Sequence, residues 1–274
     1  MKIAIYQMDV IAGNPRANER KVQKWVEETM EAEKPDILVL PEMWTTAYTL
    51  KELQELAEDD RRETERFLQG LAKQHRVNLV AGSYATKVKN KIFNRAFVFN
   101  RSGELVYHYD KIHLVPMLDE PRYLEAGEKH AEVFELDGYK MGLVICYDLR
   151  FPELIRGLAL AGANVLFVVA EWPEARASHW QILQQARAIE NQCYVVSSNR
   201  VGTYDNVEFA GRSFVINPWG DVEAKGSQDQ EETITATIDV GKVQEMRELV
   251  PVFASRVPTK YKKLHEEATQ INGK

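Results

Sequence analysis

Cysteine is scarce: Cys146 and Cys193 are the two in 274 residues. That excludes a disulfide-framed secreted scaffold and makes a reducing cytoplasm the expected setting. No Cys-x-x-Cys pair and no His-Glu-x-x-His run occurs, and the six histidines are scattered. Neither a structural zinc site nor a metal-dependent hydrolase is therefore expected, and no cofactor is called for. Positive charge is also in deficit, with 35 Lys and Arg against 41 Asp and Glu for a net charge of -6. This argues against nucleic acid or an anionic membrane as a partner. No apolar run approaches the roughly 20 residues of a bilayer-spanning helix. The opening segment, Met1 to Asp9, reads as a strand from its first residue, and its apolar part is too short for a signal peptide.

What is present is a core. Hydrophobic residues make up 45% of the chain, enough to bury a large interior and to set disorder aside. No linker, low-complexity run or short-period repeat interrupts residues 1–274, so a single domain is expected, with 250–274 as a C-terminal tail whose apolar residues suit docking at a subunit interface or, equally, on their own domain. Apolar runs at 36–40, 141–147 and 163–170 read as strands covered on both faces. Asn14-Pro15 opens a helix with Val22, Trp25, Val26 and Met30 on one face. Further helices are expected over 64–75, 152–161 and 174–192. The turns at Arg101–Glu104 and Asp137-Gly138 make hairpins. A closing β segment is expected over 209–217. Helices alternate with pairs of strands, which predicts an α/β fold with two sheets sandwiched between helices.

Three reactive residues sit where strand-like runs end. Cys146 closes the run Met141–Ile145 just before Pro152 opens a helix. Free backbone N–H groups and a helix dipole there predict a stabilised thiolate. Glu42 follows Leu40-Pro41, and Lys111 follows Tyr109-Asp110. Taken singly, Cys146 reads as a small core residue and the other two as solvated charges. Taken together, and gathered beyond strand ends as ligands are in α/β proteins, they form a chemical set. Cys146 is the nucleophile, Glu42 the base, and Lys111 the stabiliser of an oxyanion. His113 reads as a loop-positioning residue and Cys193 as structural.

Leu40-Pro41-Glu42-Met43, Tyr109-Asp110-Lys111-Ile112-His113-Leu114 and Val144-Ile145-Cys146-Tyr147-Asp148-Leu149-Arg150-Phe151-Pro152-Glu153 resemble the three signature stretches of the nitrilase, or carbon–nitrogen hydrolase, superfamily. Ser198–Gly202, Gly211–Phe214 and Pro218–Gly220 look like further segments of it. The resemblance implies a four-layer αββα sandwich, usually paired as a homodimer or higher homo-oligomer. It implies the same three catalytic roles, with the backbone N–H of Tyr147 as a second oxyanion donor. It also implies a second glutamate near the lysine, for which Glu120 is the candidate and Glu125 the rival. Asp-Leu-Arg-Phe-Pro-Glu after the cysteine looks most like the omega-amidase type, which hydrolyses monoamides of short dicarboxylic acids such as 2-oxoglutaramate. Nitrilases, aliphatic amidases, carbamoylases and a non-catalytic binding member of the fold are the alternatives. Arg150 or Arg200 would hold the substrate carboxylate, and Tyr48 and Trp172 complete the substrate-binding candidates.

Overall fold

The computed structural model describes residues 1–59 and 62–261. Half of the expected 250–274 tail, residues 262–274, lies outside the described residues.

The first sheet is built from β1 (Lys2–Gln7), β2 (Ile37–Val39), β3 (Asn78–Val88), β4 (Lys91–Phe99) and β5 (Leu105–Asp110). Helices α1 (Pro15–Ala32), α2 (Leu53–Leu56, one turn) and α3 (Glu63–His75) lie between its early strands. The Asn14 side chain caps α1 by accepting from the Ala17 N–H, and Pro15 takes the first helical position. Pro fits there because the N–H it lacks has no partner in a first turn.

The second sheet is built from β6 (Phe134–Leu136), β7 (Tyr139–Ile145), β8 (Val165–Ala170) and β9 (Tyr194–Asn199). Helices α4 (Pro152–Leu160) and α5 (Ala177–Asn191) make its parallel crossovers. A small hairpin, β10 (Thr203–Tyr204) and β11 (Val207–Glu208), stands apart. Then β12 (Phe214–Ile216) and β13 (Val222–Lys225) extend the second sheet. The chain returns through β14 (Glu232–Thr237) to the first sheet, and α6 (Gly241–Leu249) follows.

The two sheets have the orders β14-β1-β2-β3-β4-β5 and β13-β12-β9-β8-β7-β6. Each has three central parallel strands with antiparallel neighbours on both sides. Side chains of the first sheet alternate between two interiors, following the two-residue period of a strand. Ile3, Ile5, Ile37 and Val39 face the second sheet. Ala4, Tyr6, Leu38 and Leu40 face α1 and α3. The second sheet carries α4 and α5 on its other side. The result is the four-layer αββα sandwich. Its apolar residues are buried on both faces, at about 1.5–3 kcal/mol for each large side chain.

Two local expectations change. The closing β segment is shorter than 209–217, because only Phe214–Ile216 pairs in the sheet. The hairpin β10–β11 precedes it instead, turned by Asp205 and Asn206, which both have positive φ. Two consecutive left-handed residues are the signature of a tight hairpin turn. The described part of the tail packs on its own chain, where the Phe253 ring sits beneath the guanidinium groups of Arg156 and Arg247.

Candidate active site

Four segments deliver the reactive side chains to one end of the sandwich: the turn after β2, the ends of β5 and β7, and the end of β8. The Glu42 turn is clamped by β3. The Leu40 N–H donates to the Val80 carbonyl, the Ser83 N–H to Pro41, and the Met43 N–H to Ser83 Oγ. β3 slips register between Val80 and Ser83, where Gly82 has a φ of +59°. A Cβ on Gly82 would lie 1.9 Å from the Pro41 carbonyl oxygen. Only glycine lets the two backbones approach so closely.

Lys111 is fixed at the end of β5 by its own backbone. Its N–H donates to Asn94 at 3.0 Å, and its carbonyl accepts from Gly127 at 2.9 Å. Its side chain is fully buried. Nζ donates to Glu42 Oε1 at 2.9 Å, to Glu120 Oε1 at 2.8 Å and to Tyr48 Oη at 3.1 Å. All three ammonium protons are thereby engaged. Burial alone would lower the lysine, but Glu120 and Glu42 outweigh it and hold its pKa well above the ordinary range.

Each carboxylate has further donors. Glu42 Oε1 also accepts from Asn94 Nδ2 at 2.7 Å and from Tyr48 at 2.9 Å, and its Oε2 accepts from the Glu171 N–H at 2.8 Å. Glu120 Oε2 accepts from the Val115 N–H at 2.7 Å, and the Tyr48 hydroxyl makes a short bond to Oε1. Glu125 points elsewhere, 3.4 Å from Lys91. Glu120 is therefore the glutamate that meets the lysine.

Cys146 begins a one-turn 3-10 helix, Cys146–Arg150, at a φ of +46°. A non-glycine residue there is strained and survives only where its surroundings over-determine it. Asp148 supplies that constraint. Its Oδ2 accepts from the Ile145 N–H at 3.1 Å and from Tyr109 Oη at 2.9 Å. Its Oδ1 accepts from the His113 N–H at 3.1 Å and lies 2.7 Å from His113 Nδ1. His113 stacks on Phe151, which fixes the loop after Lys111 against the cysteine turn.

The expected thiolate is not what this environment favours. Burial, then the neighbouring Glu42 carboxylate, push the Cys146 thiol well up, and Lys111 only partly opposes them. Both influences favour the protonated thiol over the thiolate. Cys193 lies at the entrance to β9, and burial pushes its thiol up to about 12.

Cys146 opens onto a cavity of about 110 Å³ lined by Tyr147, Arg150, Glu171 and Trp172 among others. The Arg150 guanidinium lies 4.6 Å from the Trp172 ring centroid and 3.5 Å from His179 Nδ1. It has no carboxylate partner among the described residues. Arg176 lines the same cavity. Arg200 is placed differently from the expectation that it holds substrate. It is fully buried, donates to the Val10 and Val201 carbonyls at 3.0 Å each, and lies against Glu171 and the Phe209 ring. Its donors are spent on the protein. Asn94, Asp148 and Glu171 were not singled out from the sequence. Among the described residues, no cluster of His, Cys, Asp and Glu could hold a metal ion, and no helix is long and apolar enough to cross a membrane.

The profile described as carbon-nitrogen hydrolase matches residues 2–248. The chain belongs to the carbon–nitrogen hydrolase family. This hydrolase is 44% identical over 256 residues to the Staphylococcus aureus protein named hydrolase in agr operon, covering 93% of this chain and 97% of that one. It is 44% identical over 251 residues to a 2-oxoglutaramate amidase of Bacillus subtilis (strain 168), covering 92% and 95%. Among solved structures, it resembles Saccharomyces cerevisiae Nit3, a member of the nitrilase superfamily. That match has a TM-score of 0.86 and 28% identity over 92% of this chain and 94% of the other. The sandwich is thus the one shared by the superfamily, and the chain is a carbon–nitrogen hydrolase.

Proposed function

We propose that this hydrolase is an omega-amidase, cleaving the amide of short dicarboxylic monoamides such as 2-oxoglutaramate to ammonia and the free acid. It acts as a single catalytic domain over 1–274, in the cytoplasm, as a homodimer or higher homo-oligomer with the tail at the interface. The observation that carries the reading is a lysine ammonium held between two buried carboxylates beside a buried cysteine, with the Arg150 guanidinium in the cavity that the cysteine faces. The 2-oxoglutaramate amidase among the relatives supports the substrate class.

Glu42 takes the Cys146 proton as sulfur attacks the amide carbon. Because the resting group is a thiol, the base is required at this step. The oxyanion that forms is met by the Tyr147 backbone N–H and by Lys111. Lys111 frees a proton by releasing Tyr48, the neutral member of its three partners. One such donor lowers a barrier by about 3–4 kcal/mol. Glu42 passes its proton to the amide nitrogen, the C–N bond breaks, and ammonia leaves a thioester on Cys146. Water, deprotonated by Glu42, attacks the thioester. The C–S bond breaks, and the proton returns to sulfur. Glu120 orients Lys111 throughout. Arg150 holds the far carboxylate, with Trp172 and Tyr48 shaping the walls.

The test is ammonia release from 2-oxoglutaramate, succinamate, glutamine, a simple aliphatic amide, a nitrile and an N-carbamoyl amino acid, with Cys146→Ala alongside. Rapid turnover of the first two, lost in the variant, is expected. Preference for the nitrile or the carbamoyl compound would discard the substrate class, and activity retained by Cys146→Ala would discard the mechanism.

A further inference from the structure

A carboxylate can accept at four places, two on each oxygen, and the neighbours of Glu42 fill three of them. Oε1 takes Lys111 Nζ at 2.9 Å and Asn94 Nδ2 at 2.7 Å, and Oε2 takes the Glu171 N–H at 2.8 Å. Tyr48 has one hydroxyl proton for two carboxylates, and its shorter contact is with Glu120. The place left open on Glu42 is therefore on Oε2.

Of the two donors that close Oε1, Asn94 is the one with no second duty. Lys111 must turn to the oxyanion, whereas the Asn94 side chain makes its hydrogen bond to Glu42 and to no other group among the described residues. Asn94 lies on β4 between the buried alternate positions Ile92 and Ala96, and is itself fully buried. Its Oδ1 is buried without a partner. A buried acceptor left unpaired is costly, so this amide is a poor choice for folding alone. Its backbone carbonyl accepts from the Lys111 N–H at 3.0 Å. One residue of a paired strand thus grips both the base and the lysine. We propose that Asn94 is the positioning residue of the base: by holding Oε1 it fixes the rotation of the Glu42 carboxylate and leaves Oε2 to take the Cys146 proton. The proposal rests on the base role given to Glu42 above and on no particular substrate.

Alkylation of Cys146 by iodoacetamide reads the base without an amide substrate. The rate is followed at neutral pH on the full-length protein, from the mass of the Cys146 peptide, in wild type, Asn94→Ala, Asn94→Leu and Glu42→Gln. Both Asn94 variants should react about 10- to 100-fold more slowly, as expected when a catalytic group loses its alignment. Glu42→Gln should be slower by at least about 100-fold. For 2-oxoglutaramate, kcat should fall in step with alkylation, while KM stays within about twofold, because Asn94 acts through the base. A merely structural asparagine would give the opposite sign, since a loosened site exposes the thiol and speeds its alkylation. Asn94→Leu keeps the bulk and drops the unpaired oxygen, so it decides if Asn94→Ala fails to fold. Alkylation as fast as wild type or faster in the folded Asn94 variants, or a raised KM at unchanged kcat, would overturn the proposal. Glu42→Gln alkylating at the wild-type rate would remove the base role, and this proposal with it. Slow alkylation in the variants, with no wild-type turnover of 2-oxoglutaramate, would uphold Asn94 and discard only the omega-amidase reading.

Discussion

Replacing Gly82 by alanine tests whether the fold, and not only the reactive groups, sets the position of Glu42. The new Cβ would stand 1.9 Å from the Pro41 carbonyl oxygen and 2.9 Å from the Leu40 carbonyl carbon. Side-chain carbons keep at least 3.0 Å from such an oxygen, so the Pro41 carbonyl must retreat by about 1 Å. It belongs to the peptide unit that precedes Glu42, and the carboxylate moves with it. A displacement of that size in a catalytic group costs on the order of 100-fold in rate. The stability cost is smaller. An L-residue in left-handed backbone loses about 1–2 kcal/mol, a few degrees in Tm for a chain of this size. Gly70→Ala is the control. Gly70 is a helical glycine in α3, and a Cβ added to it would meet nothing within 4 Å. That exchange should stabilise by about 0.5–1 kcal/mol. The assays are kcat for 2-oxoglutaramate, thermal unfolding and circular dichroism. Gly82→Ala with a folded spectrum and wild-type kcat would refute the claim that the bulge of β3 positions the base.

Lys111→Met should leave Glu42 and Glu120 buried side by side without their cation, which costs about 3–5 kcal/mol and turnover as well. Adding Glu120→Gln should recover part of the lost Tm, and equal Tm values for wild type and Lys111→Met would contradict the balance of Lys111 against its two carboxylates. The raised Cys146 pKa means that the thiol stays protonated as pH climbs through the free-thiol value of about 8.5. Wild type minus Cys146→Ser should therefore show no thiolate absorbance in the far ultraviolet below that pH, and a step near neutrality would contradict it.

Much of the site was legible because each reactive residue borders a strand whose apolar run is plain in the sequence. Leu38–Leu40, Tyr109 and Leu143–Ile145 mark where chain enters the core and where it leaves. What they leave open is distance in space. Glu120 and Glu125 lie in the same polar loop, and only the fold shows that Val115 turns Glu120 inwards while Lys91 draws Glu125 out. The thiolate expectation failed for a related reason. Turn and helix signals around Cys146 are local and visible, whereas desolvation and the approach of Glu42 come from another sheet. Arg200 looked like a ligand for substrate because its partner Glu171 ends a wholly apolar strand, where a buried carboxyl group leaves no pattern. Asp148 does carry a faint signal: an acidic residue two positions past a strand-end cysteine can accept backbone N–H groups of the turn. Asp205-Asn206 likewise announces the β10–β11 hairpin, since both residue types tolerate left-handed backbone.

The pairing of β14 with β1 matches Lys2 with Thr237 and Gln7 with Glu232. The Met1 amino group reaches the Ile238 carbonyl at 3.0 Å. β1 therefore waits for a partner that is synthesised about 230 residues later. At about 5–20 residues per second, that interval is on the order of 10–50 s. Throughout it β1 has a bare edge, the kind of edge that invites pairing with a neighbouring chain. Crowded polysomes and slow translation are thus the conditions under which this protein is most exposed to misassembly, and a chaperone that shields the nascent first sheet would act before the active site exists.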